Sequence, residues 1–122
     1  MSTAELQPPG RASGELSVVP TETGLAVSGE VDLTSWAVLC DALSRLVSTS
    51  APARDVIIDL SELSFIDGHS VALIAQTARR LGPSRRLLLR RAPAVLLRIA
   101  QILCLDREPG LVIEVRGDDG RP

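Results

Sequence analysis

Residues 55–60, DVIIDL, constrain the fold more than any other stretch of this chain. Val56, Ile57 and Ile58 form a continuous β-branched run. It is too short for an ordinary helix and lacks the apolar–polar alternation of a strand with one wet face. Such a run suits a strand buried on both sides, and sheets of that kind carry helices between parallel strands. The flanking sequence should therefore alternate between strand and helix signals.

It does so. GELSVVP (14–20) and GLAVSGEVD (24–32) read as two short strands. The gap between them is short enough for a hairpin, so they pair antiparallel. Asp32, Thr34 and Ser35 then offer N-caps to a helix carrying Trp36, Leu39, Cys40, Leu43, Leu46 and Val47 at helical spacing. After DVIIDL, an apolar run leads into a second helix with Val71, Ile74, Ala75, Ala78 and Leu81 as its stripe, stopped by Gly82 and Pro83. RRLLLRR (85–91) reads as a buried strand with charged ends. Pro93 opens a third helix bearing Val95, Leu96, Ile99, Ala100 and Leu103, and LVIEV (111–115) is a final strand. The order is β-β-α-β-α-β-α-β. This predicts an α/β single domain with a mixed, mostly parallel sheet and one antiparallel edge strand. It occupies residues 14–116, between flexible tails at 1–13 and 117–122.

Composition removes several functions. Trp36 and Phe65 are the only aromatic residues, so the aromatic platforms of a single-stranded nucleic-acid surface are missing. The chain has no lysine, which excludes a Walker lysine, and neither GxxxxGK[ST] nor GxGxxG occurs. Cys40 and Cys104 lack metal-ligand spacing, and both fall in apolar helical stretches where a reduced, buried thiol is expected. The N-terminal residues have no basic start followed by an apolar run, and no segment is long enough to span a bilayer. These features point to a cytoplasmic protein without cofactor, metal or membrane contact. Charge is uneven: residues 1–70 carry net −7 and residues 71–122 net +5. Arg79, Arg80, Arg85, Arg86, Arg90 and Arg91 cluster around a helix end and the next strand. A solvated rim, or a surface for acidic partners, fits a chain that is not basic overall better than a nucleic-acid patch.

The stretch DGHS, residues 67–70, is the chemical focus. Asp67, His69 and Ser70 contain the residue types of a hydrolase triad. Adjacent residues in a helical turn point about 100° apart, however, so His69 is badly placed to take a proton from Ser70. A lone histidine makes no metal site. A helix N-terminus can hold an anion, which leaves a small nucleotide-binding regulator as an alternative from another class. The plain structural role is a cap: Asp67 accepts from first-turn N–H groups. A cap alone gives no reason for a small polar knuckle at the sheet edge, and a contact surface accounts for it.

Three segments carry a family resemblance: VSGEVDLTS, DVIIDLSELSFIDGHSVALI and RAPAVLLRIAQILCLD. In this order and spacing they resemble a STAS domain, the fold of bacterial anti-sigma-factor antagonists, over roughly residues 14–116. The resemblance implies a non-enzymatic interaction module. Such a module binds an anti-sigma factor, often a serine kinase, and frees a sigma factor for transcription. It implies a partner-binding surface at Asp67, Gly68, His69, Ser70 and Val71, with Asp32 nearby. In the family a Ser or Thr directly after the matching Asp is phosphorylated to release the partner. Here that position is Gly68, which has no hydroxyl. This departure leaves a constitutive antagonist, regulation through another assembly, or a displaced phosphosite at Ser70. The nearest alternative within the family is a STAS regulatory subunit of a lipid-transport ABC ATPase assembly.

Overall fold

A computed structural model describes residues 15–49 and 54–117. Of the tails expected at 1–13 and 117–122, all but Gly117 lie outside the described residues. Six strands form one sheet: β1 (Ser17–Pro20), β2 (Gly24–Val31), β3 (Val56–Asp59), β4 (Leu63–Ile66), β5 (Leu87–Ala92) and β6 (Leu111–Val115). Three helices intervene: α1 (Trp36–Thr49), α2 (Gly68–Leu81) and α3 (Ala94–Ile102), the last followed by a 3-10 turn at Leu105–Arg107. The sheet order is β1-β2-β3-β5-β6. β1 pairs antiparallel with β2 at one edge, and the other pairings are parallel. The mixed sheet with its antiparallel edge strand is the architecture the sequence predicts.

One strand is additional. β4 pairs with β2 over Gly29–Val31, whereas β3 pairs with β2 over Gly24–Ala26. The two strands thus run one after the other in a single lane along β2, separated by the turn Leu60–Glu62. Within the β2–β4 pairing the register shifts between Gly29 and Glu30, where Ser64 of β4 is the extra residue. Gly29 adopts φ +89, and a Cβ there would collide with the Glu15 carbonyl, so only glycine fits this position.

The sheet rows are fully buried on one face. Leu25, Ile58 and Leu89 stand side by side in register and are all buried. The next row, Ile57 and Leu88 with Val112, is only half-buried. Burial of DVIIDL therefore alternates, with Val56 and Ile58 inside and Ile57 and Asp59 partly exposed. The helices supply Leu39 and Leu43 from α1, Val71, Ile74 and Ala78 from α2, and Leu96 and Ala100 from α3 to the core. Each buried Leu, Ile or Val among these contributes about 1.5–3 kcal/mol relative to exposure.

The arginines of the C-terminal half tie elements together at the rim. Arg86 donates to Asp55 from its guanidinium (2.9 Å) and its backbone N–H (2.9 Å), joining the starts of β5 and β3. Arg79 of α2 reaches Glu108 at 2.8 Å. With at least one solvent-exposed partner in each, these ion pairs add little to stability and serve mainly to fix neighbouring elements. Cys104 departs from expectation: α3 has ended by then, and the residue is exposed with φ 61.

Candidate functional site

Val31 and Ile66 are register partners at the ends of β2 and β4, so Asp32 and Asp67 leave the sheet side by side. The Asp67 N–H donates to the Val31 carbonyl at 3.2 Å and fixes this placement. Both carboxylates then turn to the backbone that follows them. Asp67 Oδ1 accepts from the Ser70 N–H at 2.9 Å and caps α2. A cap of this type contributes about 1 kcal/mol. Asp32 Oδ1 accepts from the Thr34 hydroxyl at 2.6 Å and the Thr34 N–H at 3.0 Å. The Thr34 hydroxyl is the main cause holding the Asp32 carboxyl below the usual range. Asp32 thus builds the entry turn to α1, alongside the start of α2.

Between these two turns lies an aromatic contact. Trp36 is the first residue of α1 and His69 the second of α2; their ring centroids are 5.0 Å apart and tilted by 54°. With Leu73, Gln76, Arg79 and Leu105 they line a shallow hollow of about 290 Å³. A larger hollow of about 790 Å³ lies at the opposite end of β2 and α1, and no residue of the α2 junction lines it.

Gly68 opens α2 with a backbone outside the left-handed region. A Cβ added there would lie 3.6 Å from Leu103 Cδ1 and 3.8 Å from Ile99 Cγ2, which is ordinary van der Waals contact. Neither packing nor backbone geometry requires glycine at this position. Beside it, the segment leaving α3 exposes apolar side chains: Ile102 is 73% and Leu103 46% accessible. Leu33, in the entry turn to α1, is 72% accessible.

The residues predicted from sequence divide into two groups. Asp32, Asp67 and Gly68 are partly accessible and His69 is exposed, and all four border the junction. Ser70 and Val71 turn inward, with 0% and 2% accessibility. Neither side chain is part of the surface in this conformation. The Ser70 hydroxyl is buried without a hydrogen-bond partner, so it is out of reach of a kinase, and a displaced phosphosite there does not fit the fold. Trp36, Leu33, Ile102 and Leu103 join the surface although the sequence reading did not select them as site residues. The signal for the last two was the doublet Ile102–Leu103, of which only Leu103 fits the apolar stripe of the third helix.

A small α/β domain with a mixed sheet, gathering two strand ends and two helix starts at one corner, is the class defined by these features. The family model described as "Mlab, STAS domain" matches residues 16–114, and the chain belongs to the STAS domain family. No curated protein matches it. Among solved structures, an anti-sigma factor antagonist from Mycobacterium paratuberculosis is similar, with 26% identity and a TM-score of 0.61 over 80% of this chain and 84% of that one. The anti-sigma factor antagonist SpoIIAA in its unphosphorylated form shares 17% identity, with a TM-score of 0.56 over 85% and 91% of the two chains. An anti-sigma-factor antagonist (STAS) domain protein from Planctomyces limnophilus shares 12%, with a TM-score of 0.60 over 84% and 92%. The latter two speak for the fold. Among the described residues no helix is long and apolar enough to cross a membrane.

Proposed function

We propose that this protein is a cytoplasmic, non-catalytic anti-sigma-factor antagonist. Its docking surface is the corner formed by Asp32, Trp36, Asp67, Gly68 and His69, extended by Ile102 and Leu103. The observation that carries the reading is the side-chain-free start of α2 lying against exposed Leu103. Apolar residues left in water beside a fixed helix end favour a partner that covers them. Similarity to a solved anti-sigma factor antagonist over most of both chains supports an anti-sigma factor as that partner.

Control of this surface differs from the family pattern. A phosphate on the first residue of α2 would add close to two negative charges at the contact. Gly68 has no oxygen to carry it. A β-carbon meets only ordinary van der Waals contacts there, so no backbone or β-carbon clash accounts for the missing hydroxyl. The protein accordingly acts as an antagonist that a serine kinase cannot release.

Affinity capture from the native cytosol, followed by mass spectrometry of partners and phosphosites, tests this reading. An anti-sigma factor should be retained, and the bait should carry no phosphate on residues 67–71. If the captured anti-sigma factor is a kinase, Gly68→Ser should become its substrate and bind it more weakly once modified. Capture of an ABC ATPase in place of an anti-sigma factor would replace this function with the transport-assembly alternative. Phosphate on wild-type Ser70 would overturn the proposed insensitivity.

A further inference from the structure

Among the described residues, β4 has a strand on one edge only. The lane on its other side empties because β5 follows β3 only as far as Arg90, whose carbonyl accepts the Leu60 N–H at 2.9 Å. At Arg91 the chain swings through φ 58, and Ala92 moves on to pair with Val115 of β6. Arg116, the first residue after β6, fills the vacated edge. Its Nη2 donates to the carbonyls of Leu60 at 2.7 Å and Leu63 at 2.6 Å, and its Nε to the Arg91 carbonyl at 3.0 Å. Its own backbone N–H is anchored on the Ala92 carbonyl at 2.9 Å. One guanidinium therefore joins the end of β3, the start of β4 and the bulge of β5.

We infer that Arg116 is a positioning residue for the corner that β4 delivers. Only two residues separate Leu63 from Ile66, and Asp67, Gly68 and His69 follow at once, so a shift at Leu63 moves the start of α2. Three carbonyls converging on one point need several N–H groups in a fixed planar fork, which arginine supplies and lysine does not. The bulge at Arg91 makes the same demand from the other side, because it aims a carbonyl into the gap. The functional weight of this role rests on the docking reading of the corner, but its physical content does not.

The test needs no partner, so its failure is distinct from failure of the docking reading. Amide hydrogen exchange and the His69 ring resonances would be compared by NMR in wild type, Arg116→Met and Arg116→Lys. Both variants should keep a cooperative fold and native exchange at Ile57, Ile58 and the β1–β2 hairpin. Amides of Leu63–Ile66 and the first turn of α2 should exchange at least tenfold faster, and the His69 ring signals, shifted by the Trp36 ring current, should move. Uniform acceleration across the sheet, unmoved His69 signals, or full recovery in the lysine variant would overturn the assignment. Failure of both variants to fold would also overturn it, by making Arg116 a residue of the global fold.

Discussion

Ser70 shows how one residue can be polar in sequence and part of the core in space. Helix α2 begins at Gly68, and its inward stripe takes in Ser70 as well as Val71, so the hydroxyl is carried under the helix with no acceptor. A buried hydroxyl without a partner costs about 1–3 kcal/mol in lost hydration. Ser70→Ala removes that oxygen while keeping the β-carbon. It should leave stability unchanged or raise it by about 1 kcal/mol in urea denaturation. A loss of more than that amount would mean that the hydroxyl is hydrogen-bonded in solution. The cap at Asp67 could be read from the sequence because Asp before a helical stripe has a local explanation. The burial of Ser70 could not, since its direction depends on which residue starts the helix, and helix boundaries shift by one or two residues without changing the periodicity.

Among the elements, α3 departs most from its sequence pattern. The stripe Val95, Leu96, Ile99, Ala100 and Leu103 suggested one continuous inner face, yet only Leu96 and Ala100 are buried. The helix is nine residues long, and the chain turns at Cys104 before Leu103 can follow the core. The apolar residues at its end are left beside Gly68. Replacing Ile102 and Leu103 together by glutamine should change stability by less than about 1 kcal/mol, because neither is a core residue. Binding to a captured anti-sigma factor should weaken at least tenfold in a titration, or about 1.4 kcal/mol. Unchanged affinity would remove this element from the docking surface. β4 was hidden for a related reason. LSFI is four residues long and its burial runs in–out–out–in, so in sequence it shows only as an apolar run leading into α2. Its pairing with the second half of β2 is a long-range feature with no local signature beyond Gly29.

Across the whole molecule, the polar turns give stability an acid limit. Asp59 is held below the usual carboxylate range chiefly by the Ser61 N–H at 2.9 Å, Asp55 by the Arg86 guanidinium, and Asp32 by the Thr34 hydroxyl. Each group binds protons less readily folded than unfolded. Its contribution is therefore present above the unfolded value near 3.8 and is lost as pH falls through the lower folded values. Thermal midpoints should fall as pH drops below about 4, where these carboxylates take up protons. Asp59→Asn should flatten the acid limb, and an unaltered limb would show that its turn is not involved. The strand–helix alternation and the antiparallel edge were legible because they rest on periodicity and short connections. The arginine rim was legible only as composition: the sequence showed the charges, and the fold showed that several of them brace neighbouring elements.

The tilted contact of Trp36 and His69 has a practical consequence. The chain has one tryptophan and no tyrosine, so its indole absorption band and its tryptophan emission arise at a single place, the corner itself. An unlabelled sample thus carries its own optical gauge there, and anything that covers or disturbs the indole changes the colour or yield of its light.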